Sequence, residues 1–166
     1  TALVSDERPI DSVTLLWQLD GETTPSRVPM VDDGNGDDGI PSNGVYGGTI
    51  PPQAAARIVL LWVEAQGAGG QTVVVPSPRQ DVPSPAFLYQ VENPLPELAR
   101  PVYRILMKAA DLNVLRTRDR NSNVPLDCTF VANGRAYYNR GVHYRGRSAR
   151  SCGSPTTPTR PTTSST

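Results

Sequence analysis

The sequence predicts a mainly β chain: an antiparallel sandwich, then a short α+β unit, then a disordered tail. Three observations predict it. Short β-branched and aromatic runs are punctuated by Gly, Pro, Asp and Asn, and Pro 17 with Gly 14 leave little room for long helices. Charge divides the chain: residues 1–99 hold 13 acids and 4 bases, residues 100–150 hold 3 acids and 11 bases, although the whole is neutral. The last stretch, Ser151 to Thr166, contains no apolar residue large enough to pack, so it cannot offset its conformational entropy.

The expected organisation is a sandwich over 1–77, a Pro-rich linker over 78–99, an α+β unit over 100–150 and a tail over 151–166. In the first unit, Val13 to Leu19 alternates, with Val13, Leu15 and Trp17 on one face. Arg27–Val31 and Gly44–Ile50 are expected as shorter strands, and Ala2–Ser5 as one more. Arg57 to Ala65 is the strongest strand: Ile58, Leu60 and Trp62 share one face while Leu61 and Val63 share the other, the pattern of a central strand. Gln71–Val75 follows the Gly67–Gly70 turn. In the linker, Ala86–Val91 reads as a brief strand or a docking contact between breaker-rich flanks.

The second unit opens with a strand from Pro101 to Lys108, then two helical turns carrying Leu112 and Leu115. Val124–Val131 and Arg135–Tyr138 flank Asn133-Gly134, a strong short hairpin signal, and Gly141 to Ser148 is expected to start another strand. Strand, helix, then antiparallel ladder is an α+β order.

No run of 18 apolar residues exists, so no membrane-spanning helix is expected. Cys128, inside a strand, is expected as a buried small hydrophobe, and with Cys152 in the tail no structural disulfide is expected. The single histidine, His143, has no Ser or Cys at a spacing that would make a dyad. Alternating Tyr and Arg near 135–145 is what a half-exposed strand also shows, so no nucleic-acid partner is expected.

The loop 31–47 concentrates chemistry. Asp32, Asp33, Asp37 and Asp38 lie within seven residues, joined by Asn35 and Asn43. Two readings stand side by side. A hard cation such as Ca²⁺ relieves carboxylate repulsion by taking about six to eight oxygens, with Asp32, Asp33, Asn35, Asp37 and Asp38 as its ligands. Alternatively the loop is a solvated acidic turn in which Asp, Asn and Gly serve turn geometry. An EF-hand is excluded, since no Glu stands at the twelfth position.

The stretch Val28 to Pro52, with Met30-Val-Asp-Asp-Gly, Gly36-Asp and Gly44-Val-Tyr, resembles a recurring bacterial extracellular sandwich module, immunoglobulin-like or fibronectin-like. It departs at Ser42-Asn43-Gly44, where Gly-Asp-Gly is common, so one formal charge is lost. The module's first strand is expected before Thr1.

Residues 101–150 resemble the start of the spore-coat CotH kinase family. The resemblance rests on Pro101-Val-Tyr-Arg-Ile105, the Leu112/Leu115 helix, Ala132-Asn-Gly134 and Tyr138 to Ser148. In the last block Asn139, Gly141, Val142, Arg145, Gly146 and Ser148 match, and His143 stands where Arg is common. The resemblance implies an atypical Ser/Thr protein kinase of a secreted or surface protein, acting on coat, cell-wall or other surface proteins. ATP and Mg²⁺ are implied for the intact parent, with Arg145 and Gly146 as cofactor-facing positions. The family's nucleotide lysine and catalytic carboxylates come later, and this chain has no Lys after Lys108 and no acid after Asp127. The chain is therefore expected to be an inactive amino-terminal piece. The alternative is a non-enzymatic extracellular binding or structural module with a Ca²⁺-binding acidic loop.

Overall fold

The computed structural model describes residues 1–35, 38–80, 82, 84–92 and 102–145. The expectations that fall on Asp37, Gly146 and the 151–166 tail lie outside them. The elements in chain order are β1 (Ala2–Leu3), β2 (Ile10–Leu19), β3 (Ser26–Met30), β4 (Val45–Tyr46), β5 (Ile58–Gly67) and β6 (Thr72–Val75). Then come β7 (Phe87–Gln90), β8 (Tyr103–Leu106), α1 (Ala109–Thr117), β9 (Leu126–Ala132) and β10 (Arg135–Val142). The chain is mainly β, and every strand pair among the described residues is antiparallel.

The largest sheet runs β3-β2-β5, and the far side of β5 is shared end to end by β6 and β7. β5 is central, as its two-sided pattern predicts. Its Ile58, Leu60 and Trp62 pack with Ala86, Leu88, Leu106 and Val131. Its Leu61, Val63 and Ala65 pack on the other face with Val13, Leu15 and Met30. The β1–β4 ribbon contributes Ala2 and Tyr46 to this second cluster. The three-stranded sheet β10-β9-β8 supplies Leu106 and Val131 to the first. β5 is thus apolar on both faces because the β10-β9-β8 sheet packs on one and the β1–β4 ribbon reaches part of the other.

Of the two readings of Ala86–Val91, the brief strand is the one found: β7, Phe87–Gln90, pairs with Leu61–Ile58, and Ala86 and Leu88 are 0% exposed. Two expectations change. Of the strand expected over 44–50, only Val45–Tyr46 is regular, with Gly47 bridged to Val31. Gly141 does not start a new strand; β10 runs through to Val142 with one register shift between Tyr137 and Arg140.

α1 forms where the Leu112/Leu115 spacing predicts it. Its preceding residue, Lys108, offers no side-chain cap. The missing acceptor comes from the first unit: Ala109 N–H donates to Asp20 Oδ2 at 2.7 Å. Asp111 in the first turn and Arg116 in the last suit the helix dipole. Among the described residues no helix is long and apolar enough to cross a membrane.

Candidate functional site

The acidic loop folds inward on its own amides. Asp32 Oδ1 accepts from Asn43 N–H at 3.2 Å and its Oδ2 from Gly44 N–H at 2.7 Å. Asp33 Oδ1 accepts from Asn35 N–H at 2.9 Å, and this contact with Asn35 holds the Asp33 carboxyl below the ordinary carboxylate value. Asn43 Oδ1 accepts from Val45 N–H, which leads the chain into β4. Asx-type bonds of this kind are what make Asp and Asn turn residues.

Asp38 differs from its neighbours. It is 2% exposed, where an exposed acidic turn would leave it in water. Its Oδ2 accepts from both Asp33 and Gly34 N–H at 2.9 Å, while Oδ1 is buried without a partner. Gly47 makes this burial possible, since a Cβ there would stand 3.3 Å from Asp38 Cβ. Of the expected ligand set, Asp32, Asp33 and Asn35 thus each bond to a backbone amide or offer one, and among the described residues of that set Asp38 alone keeps a buried oxygen without a partner. Among the described residues no three His, Cys, Asp or Glu side chains are grouped closely enough to hold a metal.

A second polar cluster was not singled out by the sequence. It lies where β7 meets β9. Asp127 Oδ2 accepts from Ala86 N–H at 3.1 Å, and Thr129 Oγ1 accepts from Leu88 N–H at 3.3 Å. Asp127 is 3% exposed and its Oδ1 has no hydrogen-bond partner. Burial raises its carboxyl above the ordinary value, against the lowering effect of the Ala86 amide and of nearby Lys108 and Arg79. Lys108 Nζ donates to Ser84 O at 2.8 Å and stands 3.2 Å from Asp111 Oδ2. The bonds of Asp127 and Thr129 to the Ala86 and Leu88 amides, and of Lys108 to Ser84 O, tie the second part to the 84–88 segment, which is a holding arrangement. The signal in the sequence was Asp127 and Thr129 alternating on one face of a strand, polar where apolar residues are usual.

The described residues of the resemblance block, 138–145, cover the end of β10 and the three residues after it. Asn139 has φ 54° at the register shift, a left-handed conformation that Asn tolerates better than most residues. Gly141 passes so close to Pro125 that a Cβ would meet the proline Cβ at 2.6 Å. Arg145 is exposed, and its Nε donates to His143 Nε2 at 3.4 Å. On the neighbouring surface Tyr103 stacks on Phe130 with ring centroids 5.9 Å apart, and Arg135 lies 5.4 Å from the Tyr137 ring centre.

An open groove of about 1030 Å³ lies against the β5–β6–β7 face, lined by Leu61, Val63, Val73, Val75, Phe87 and Tyr138 among others. Among the described residues Asp6 is the one charged side chain on its wall, so no acid–base pair converges there. Cys128 is 3% exposed, and burial together with neighbouring Asp127 pushes its thiol up to about 11. It is a packed side chain and no nucleophile.

The chain matches no protein-family model, no curated protein and no solved structure.

Proposed function

We propose that this chain is the non-catalytic front of a secreted or surface CotH-like protein kinase, and that it mounts the opening sheet of the kinase unit on a preceding sandwich. The observation that supports the reading is the Tyr138–Ser148 sequence block, whose described residues 138–145 cover the end of β10 and follow the strand β8, the helix α1 and the strand β9. Two residues of that block have physical reasons to be what they are: Asn139 accommodates the bulge and Gly141 the contact with Pro125. The sandwich acts as a mount because Asp20 caps α1 and β7 is bonded to Asp127 and Thr129.

Phosphoryl transfer needs a cation on the phosphates, Mg²⁺ to bridge them and a carboxylate to orient the hydroxyl. The sequence offers no lysine after Lys108 and no carboxylate after Asp127, so ATP and Mg²⁺ chemistry belongs to the intact parent. Arg145 and Gly146 are its cofactor-facing positions in this reading, and coat or cell-wall proteins its substrates. The test is phosphoryl transfer from labelled ATP to Ser or Thr of a surface-protein extract. The chain should transfer nothing. The chain extended by the gene's downstream sequence, in whichever frame continues the strand pattern past Ser148, should transfer in the presence of Mg²⁺. A folded extended chain that neither binds ATP nor transfers phosphate overturns the reading.

A further inference from the structure

We propose that the buried Asp38 carboxylate, with Asp32 and Asp33 of the same loop, is a site for a hard divalent cation of the Ca²⁺ type. The proposal stands apart from the kinase reading.

The argument begins with one oxygen. Asp38 is 2% exposed and its Oδ1 has no donor, while Oδ2, on the same carboxyl, is held by the loop amides of Asp33 and Gly34. The Asp38 carboxyl therefore lies against the 33–34 turn of the loop. An unanswered buried acceptor is costly, and a buried unpaired charge more so. The groups that could answer it are engaged elsewhere. The Asn43 side-chain amide donates to Asp38 O at 3.4 Å, and the Asn43 and Gly44 N–H groups go to Asp32. A hard cation would supply the partner that Oδ1 lacks.

The surroundings favour the cation. Asp33 stands in the same turn, its amide on Asp38 Oδ2 and its own Oδ1 accepting from Asn35 N–H. A carboxylate oxygen that accepts one amide retains a second lone pair, so Asp32 and Asp33 remain able to ligate. Ca²⁺ completes its shell with carbonyl oxygens and water and tolerates irregular geometry, whereas Mg²⁺ demands a near-octahedral set. No three acidic side chains form one group among the described residues. The site is therefore of the kind with few carboxylates and mostly neutral oxygens, whose dissociation constants fall at about 10⁻⁴–10⁻³ M.

The experiment is a calorimetric titration of the chelator-treated full chain with CaCl₂ at constant ionic strength, paired with thermal unfolding. MgCl₂ and NaCl serve as controls. Saturable binding of one Ca²⁺ is expected, with a melting temperature that climbs with Ca²⁺ and responds less to Mg²⁺. Asp38→Asn should abolish the response. If that variant does not fold, Asp33→Asn on the exposed side of the loop should weaken binding several-fold while leaving the metal-free melt in place. No heat and no shift in the wild-type chain up to about 10 mM Ca²⁺, ten times the upper bound for such sites, overturns the proposal. So does a shift that MgCl₂ and NaCl reproduce at matched ionic strength, since that is screening of acidic side chains alone.

Discussion

Asp127 shows how one side chain serves two parts of the molecule at once. Its Oδ2 receives the Ala86 amide, and its burial pushes the carboxyl up despite Lys108 and Arg79, with Asp111 adding to the rise. A folded-state value above the ordinary 3.8 means the folded protein holds the proton more tightly than the unfolded chain. The stabilising contribution is then complete below the ordinary value and is lost as pH rises through the folded one. Asp127→Asn keeps an acceptor for Ala86 and removes the charge. Its melting temperature should equal or exceed that of the wild type at neutral pH, and the difference should shrink as the medium is acidified through the raised value. Asp127→Ala strands the Ala86 amide and should cost about 1–3 kcal/mol in denaturant unfolding at any pH. Equal effects of both substitutions would contradict the role given to Oδ2. Cys128, beside it, should resist a thiol-alkylating reagent at pH 8 until the protein is unfolded, because its thiol lies at about 11 and is 3% exposed. Mass analysis of the Cys128 peptide after native labelling reads this directly.

At the scale of elements, periodicity carried most of the fold. In the sequence, Ile58, Leu60 and Trp62 against Leu61 and Val63 mark β5 as central, because a strand buried on both faces has no polar alternation to spare. Asn133-Gly134 marked the hairpin, and their φ values of 51° and 73° are the left-handed pair that a two-residue turn needs. β7 was harder. Its four residues sit between stretches rich in Pro, and its burial comes from long-range partners, Leu60 on one side and Thr129 on another. Local pattern cannot reveal such an environment. The same holds for the acidic loop: the sequence exposed the cluster of carboxylates, but not that Asp38 is buried while Asp33 is not. In β10, the bulge at Asn139 and the close approach at Gly141 predict opposite tolerances. Asn139→Gly should be nearly neutral, since glycine adopts φ 54° freely. Gly141→Ala drives a Cβ into Pro125 and should cost about 1–3 kcal/mol, read as a lowered denaturant midpoint. A neutral Gly141→Ala would show that β10 and Pro125 are not held together as described.

For the molecule as a whole, the charge division in the sequence does not separate two independent bodies. The acidic first part and the basic second part share a core: Leu60 and Leu88 pack with Leu106 and Val131, and Asp20 caps the helix of the second part. The mounting role proposed above requires such a union, because a sheet held by several long-range contacts keeps its direction relative to the central sheet. The measurement that tests it most directly is native-state hydrogen exchange at the Ala86 and Leu88 amides, whose acceptors lie in β9. The account predicts slow exchange at both, with the same denaturant dependence as the amides of Val59 and Leu60 in the central strand. Exchange of Ala86 and Leu88 at loop rates, with Val59 and Leu60 still protected, would mean that the second sheet does not ride on the first, and would contradict the account.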